Sequence, residues 1–414
     1  MDHGLDLEPV PFERRRASFL DTAVVFAGAN VVATTLAAGG TLGLLAPGKV
    51  GLWALAAGLL VGTLPTAILA RLGPRRGLPT MVLLREPFGA LGAAAIAALL
   101  VVTNFAWIAL NDVIAARALQ GILGGDERLW ALLAGTVAAL LALGGPRLMA
   151  LFGRFAVPLM AIVGVALTLA LVRSAPAVAA TTPAAGAVAF LAGLDLVVAY
   201  QVSWSLMFAD YTRFQRSERS ASLAVLVGLS ATSAWLRVVG MFAARAGSND
   251  PAEMIVGLGL PAAALVAIVL STLTTNFVNI FLSALALRTL LPRVRPVAAV
   301  LLLGGVGAIL GALRSDLLDR YAAFMGILAT LLLPIVAIAL VHWFVRPVPP
   351  RDDSPPRVGV PAATAWVAGA ITYTVASRVL DGAGSTLPTL LLAGTLYAVL
   401  SRPRARAGRS SGVE

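Results

Sequence analysis

The run Ser271-Thr272-Leu273-Thr274-Thr275-Asn276-Phe277-Val278-Asn279 places six hydroxyl or amide side chains among nine residues of an otherwise apolar stretch. Oxygen ligands of this kind suit a hard cation. Helical spacing puts Ser271, Thr274, Thr275 and Val278 on one face, with both threonine hydroxyls beside the Ser271 carbonyl. The alternative is that the threonines bond back to carbonyls one turn earlier and bend the helix. A second pattern, Asn104, Trp107 and Asn111, forms one stripe at i, i+3 and i+7. Its indole could stack a flat ligand, and an amide presents in one plane the acceptor and donors that complement the edge of a heterocyclic base. The alternative here is helix-to-helix packing through amide hydrogen bonds worth about 1 kcal/mol each.

Asp112 and Asp195 are carboxylates within apolar stretches, where a buried acid can carry a proton. A structural ion pair near the outer surface, with Arg117 or Arg237 as possible partner, is the expected role of both. Asp210 and Arg213, in Ala209-Asp210-Tyr211-Thr212-Arg213-Phe214, read as a helix terminus or gate contact. Cysteine is absent and only His3 and His342 supply imidazole, which excludes disulfides, thiolate catalysis and most metal chemistry. With no phosphate loop, zinc motif or nucleophile with its base, an enzyme is not expected, and no cofactor beyond a coupling ion is implied.

The elements that position these residues follow from composition. Hydrophobic residues make up 59% of the 414 and charged residues 12%, a ratio suited to a bundle bathed in lipid. Apolar runs of roughly 20 residues match helices that cross a bilayer, and they do not alternate as barrel strands do. Spans are expected near 18–45, 50–72, 93–121, 129–146, 152–173, 187–210, 222–246, 258–290, 296–313, 320–345, 361–380 and 385–401, joined by short loops. Function must therefore sit within an all-α polytopic bundle. Most of the 31 basic residues fall on one side of these spans, so the net charge of +11 reads as topology rather than as a nucleic-acid footprint. Both termini are expected on the cytoplasmic face of the plasma (inner) membrane. Asp2, Asp6 and Glu8 ahead of the first arginines argue against a cleavable signal.

The expected organisation is an amino-terminal segment 1–17, a ten-helix core 18–345 with halves 18–173 and 187–345, a proline-rich linker 346–361, two accessory helices 362–401 and a basic tail 402–414. The first helix of each half carries small or polar residues midway: Gly28, Asn30, Thr34, Thr35 and Gly39-Gly40 in one, Tyr200, Gln201, Ser203 and Ser205 in the other. Interruptions at corresponding positions point to discontinuous helices around a midplane site. Ordinary helices with small residues for close packing are the alternative.

Several stretches together resemble the nucleobase:cation symporter family, the cytosine, purine, allantoin, thiamine-precursor and hydantoin permeases. They are Pro9-Val10-Pro11 with Arg14-Arg15-Arg16, Phe26-Ala27-Gly28-Ala29-Asn30, Arg85-Glu86-Pro87-Phe88-Gly89, the 209–214 segment and Thr274-Thr275-Asn276. The resemblance implies a LeuT-like five-plus-five inverted repeat with broken helices 1 and 6, two carboxyl-terminal helices and twelve spans, working by alternating access. It implies Trp107 as the stacking residue, with Asn111 in place of the family's adjacent glutamine. Gln201 falls where hydantoin permeases have a second tryptophan, which leaves Tyr200 or Trp204 for the other ring face. Asn279, or Asn276 as second choice, takes the substrate-binding asparagine role. The Ser271 carbonyl and the Thr274 and Thr275 hydroxyls match sodium-ligand positions, completed by carbonyls of Ala27 and Asn30. The 194–210 stretch looks most like the cytosine and hydroxymethylpyrimidine branch. The expected function is import of a flat nitrogen heterocycle with sodium. Proton symport and passive facilitation are the alternatives.

Overall fold

In hydrocarbon every backbone N–H and C=O must be satisfied within its own segment, and the long apolar runs accordingly fold as helices. The computed structural model describes residues 8–173, 186–244, 248–291, 293–345, 356–379 and 384–401, and among these there is no strand. The linker up to position 355 and the tail 402–414 lie outside the described residues.

Helix α1 (Phe19–Asn30) starts at a reciprocal cap: the Ser18 hydroxyl accepts the Asp21 N–H while the Asp21 carboxylate accepts the Ser18 N–H. It stops at Asn30, and α2 (Ala33–Leu45) resumes at 60° to it. The expected interruption of the first span is thus real and falls at Val31-Val32. Gly39 serves another purpose, since a Cβ there would sit 2.4 Å from the Arg237 carbonyl oxygen. Gly39 lets α2 lie directly on α10 (Glu218–Ala243).

Between them run α3 (Lys49–Leu69), the short α4 (Leu72–Arg76) and α5 (Thr80–Leu83), then α6 (Arg85–Leu123), α7 (Glu127–Ala142), α8 (Gly145–Arg173) and α9 (Ala187–Ser203). Helix α9 gives way to 3-10 turns at Trp204–Met207 and Thr212–Phe214, so the sixth span loses its α-helical form near its end without the sharp bend of the first. After α10 come α11 (Pro251–Gly257), α12 (Leu265–Leu290), α13 (Pro296–Leu313), α14 (Tyr321–Leu340), α15 (Val360–Val379) and α16 (Thr386–Leu400).

Among the described residues eight helices are long and apolar enough to cross a membrane, nine when α1 and α2 count as one bent span. The other three expected spans correspond to α7, α15 and α16, of 16, 20 and 15 residues, which are packed on the bundle. Large apolar side chains such as Trp53, Val102, Ile162 and Leu391 are exposed on the outside, as a lipid-facing surface requires.

Two contacts tie the last helices to the core. Gly89 breaks α6 at φ 76°, and the freed backbone pairs with the chain leading into α15: Ala90 N–H donates to the Pro356 carbonyl at 3.0 Å and Gly359 N–H to that of Phe88 at 2.8 Å. The Asp195 carboxylate accepts the N–H groups of Ser385 and Thr386 at 2.8 and 3.2 Å, at the start of α16. The ion pairs expected for the two aspartates are absent among the described residues. Asp195 holds a helix N-terminus and Asp112 accepts an amide of Asn276, while Arg117 pairs with Glu127, Asp250 and Asp319.

Candidate substrate and cation site

Both helix breaks open onto one cavity of about 90 Å³, lined by Ala29, Thr34, Trp107, Trp204, Thr275 and Asn279 among others. Helix α6 supplies Trp107 because three turns of small and apolar residues around it pack against α12, which leaves the indole half-buried at the cavity wall. The indole is held by edge-to-face contacts, with Tyr200 at 5.9 Å and 88° and with Phe324 at 5.0 Å and 74°. Tyr200 is in turn fixed by a 2.8 Å hydrogen bond to the Thr35 hydroxyl, just past the break of the first span. Trp204, at the first residue of the unwound stretch, faces the same cavity.

Other residues expected at the substrate are turned elsewhere. The Asn111 amide donates to the Trp107 carbonyl at 2.8 Å and leaves its own Oδ1 buried without a partner among the described residues. Gln201 lies behind α9, donating to the Thr63 hydroxyl at 2.7 Å and accepting from the Ser233 hydroxyl at 3.4 Å. Asn276 donates to the Ile108 carbonyl at 3.0 Å and to Asp112 Oδ1 at 2.7 Å, on the side of α6 that faces α7 and α13. The cavity also receives Asn104, whose amide donates to Ser283, together with Ser203 and Thr34. Thr34 and Ser203 were visible in the sequence only as part of the two interruptions.

Where α12 meets the first span, the Ala33 N–H donates to the Ser271 hydroxyl at 3.1 Å, so the first-span break rests directly on α12. Thr274 and Thr275 donate to the carbonyls of Leu270 and Ser271 at 2.7 and 2.8 Å, one turn back. Each hydroxyl oxygen keeps lone pairs free to accept or ligate. The Asn30 amide donates to the Phe26 carbonyl at 3.2 Å, and Val31 N–H takes the carbonyl of Gly28, which leaves Ala27 and Asn30 at the end of α1 with carbonyls that no following helical turn uses. The donor set is wholly oxygen, which fits a hard monovalent cation.

Residues 9–347 match the family described as permeases for cytosine/purines, uracil, thiamine and allantoin. The chain belongs to that family. A protein of Bacillus subtilis (strain 168) named as a purine-cytosine permease is 26% identical over 373 residues, covering 82% of this chain and 79% of its own. The cytosine permease of Escherichia coli (strain K12) is 28% identical over 289 residues, covering 69% and 68%. Among solved structures, Mhp1, a nucleobase-cation-symport-1 family transporter, superposes in its inward-facing conformation with a TM-score of 0.79 at 17% identity over 94% of this chain and 91% of that one. Its closed form with bromovinylhydantoin bound gives 0.73 at 18% identity over 95% and 94%. The fold is therefore the LeuT-like inverted repeat. This family member is a nucleobase-type transport protein embedded in a membrane, not an enzyme.

Proposed function

We propose that the chain is a secondary active importer of a flat nitrogen heterocycle of the cytosine, purine or hydroxymethylpyrimidine class, driven by sodium through alternating access. The observation that carries this reading is the meeting of four elements at one cavity: the first-span break, Trp107 of α6, the unwound end of α9 and the hydroxyl run of α12. Trp107 stacks the ring, Asn279 bonds its edge, and Tyr200 or Trp204 closes the other side. Sodium sits between the carbonyls of Ala27 and Asn30 and the oxygens of Ser271, Thr274 and Thr275. An ion that bridges α1 and α12 favours the arrangement that binds substrate, and substrate must then favour ion binding to the same degree.

Proteoliposome uptake of radiolabelled cytosine, purines and hydroxymethylpyrimidine, with and without an inward sodium gradient, tests the reading. Concentrative uptake only with sodium is expected. Uptake indifferent to sodium but driven by a proton gradient would favour a second reading, for which Asp112 is the candidate carrier: it is fully buried and its Oδ2 has no partner among the described residues. Equilibration without accumulation would make the protein a facilitator.

A further inference from the structure

Arg237 lies in the last third of α10, among α2, α9 and α14, and is 1% exposed. A guanidinium stays protonated in a protein and carries five N–H donors in a fixed plane. Here Nε, Nη1 and Nη2 all lack a hydrogen-bond partner, and Arg237 makes no ion pair, among the described residues. The Tyr200 ring centroid is 4.4 Å from the guanidinium carbon, and within electrostatic reach of the charge is the phenol of Tyr321, also fully buried and without a partner for its hydroxyl among the described residues. The face of Tyr200 offsets only part of the charge, because a cation–π contact satisfies no N–H. A whole cation with unused donors, sealed at membrane depth beside an unused hydroxyl, is costly unless something negative joins it.

We propose that Arg237 and Tyr321 form a binding site for one small monovalent anion, clasped between α10 and α14 and roofed by the Tyr200 ring. The guanidinium edge and the phenol O–H would both donate to it. One positive charge sets the limit: a divalent anion would leave a net negative charge buried in the bundle. Two sources share this chemistry, a halide and a small free carboxylate from the medium. Because Tyr200 touches Trp107 as well as Arg237, an anion here would stiffen the substrate wall from behind. The binding claim stands without the transport reading; only an effect on uptake rests on it.

The test is radiolabelled chloride binding to the purified full chain in detergent, with thermal unfolding followed in parallel in chloride, in gluconate, and in gluconate with a pyrimidine carboxylate added. Saturable chloride binding is expected, with a higher melting temperature in chloride than in gluconate. Both should be lost in Arg237→Gln, and affinity should fall about tenfold in Tyr321→Phe, as for removal of one hydrogen bond to a charged group. Stabilisation by the carboxylate but not by chloride, again lost in Arg237→Gln, supports the same site with a carboxylate as its anion. No saturable binding together with one melting temperature in all three media overturns the proposal. So does a chloride response that survives unchanged in both variants. The wild-type titration and Tyr321→Phe decide the matter even if Arg237→Gln does not fold.

Discussion

The backbone N–H of Ala33 donates to the hydroxyl of Ser271 at 3.1 Å, joining the first residue of α2 to the middle of α12 across 238 positions of sequence. An N–H freed by a helix break and buried in a bundle has few other places to go. The same α12 turn carries Thr275, whose hydroxyl only bonds back to the Ser271 carbonyl. The two residues therefore have separable roles. Ser271→Ala strands a buried donor and should lower unfolding stability by about 1–3 kcal/mol. Thr275→Ala removes a back-bond that helices do without. It should leave the melting temperature within a degree or two of wild type while the sodium concentration for half-maximal uptake rises about tenfold or more, which corresponds to about 1.4 kcal/mol. Sodium activation curves in proteoliposomes decide this, and an unchanged curve for Thr275→Ala removes the residue from the cation site.

Trp107 meets Tyr200 and Phe324 edge-to-face rather than in a parallel stack, and it lines the cavity. A stacked base–aromatic contact is worth about 1–3 kcal/mol. Trp107→Ala should weaken heterocycle binding roughly 10- to 100-fold, and Trp107→Phe, which keeps a ring in the same place, by less than about tenfold. Equilibrium binding of labelled substrate to detergent-purified protein separates this from a folding defect. Equal losses in both variants would show that the indole supports the wall without stacking on the ligand.

How far these sites could be read from the sequence depended on whether the deciding neighbour was near or far along the chain. The stripe Asn104, Trp107, Asn111 and the hydroxyl run in α12 follow helical spacing, and the structure gives each stripe a face. The break of the first span was signalled by Asn30, Thr34 and Thr35, yet it falls at Val31-Val32, two β-branched residues that carry no turn signature. Spacing could not tell that Gln201 turns to Thr63 and Ser233, or Asn276 to Asp112, because those partners lie 32 to 164 residues away. The aspartates show the same limit. An ion pair is the ordinary fate of a buried carboxylate, whereas Asp195 meets backbone N–H groups 190 residues later.

That contact gives a prediction confined to the carboxyl-terminal helices. A carboxylate at a helix N-terminus satisfies orphan N–H groups and complements the helix dipole, and losing such a cap costs about 1–2 kcal/mol. Asp195→Ala should therefore lower the melting temperature and speed amide exchange at the start of α16, with substrate affinity unchanged. Asp195→Asn, which can still accept one N–H, should fall between. Loss of substrate binding in either variant, with α16 still protected from exchange, would contradict a purely structural role.

Asp250 gives stability a pH dependence whose sign can be worked out. It caps α11 by accepting the Ala252 N–H at 2.8 Å, and its side chain lies 3.7 Å from Arg117. Burial raises its pKa from 3.8 to about 6, an effect that the Ala252 N–H and the Arg117 charge oppose without cancelling. The folded state thus holds its proton more tightly than the unfolded chain. The stability this contributes is complete below pH 3.8, declines as pH rises through about 6, and is gone above that; a gap of this size is worth about 3 kcal/mol. Asn in this position keeps the cap oxygen and never ionises. The melting temperature of wild type should fall relative to Asp250→Asn between pH 4 and 7 and run parallel to it above pH 7. Curves that stay parallel across the whole range would mean that Asp250 ionises in the folded protein as it does in the unfolded chain.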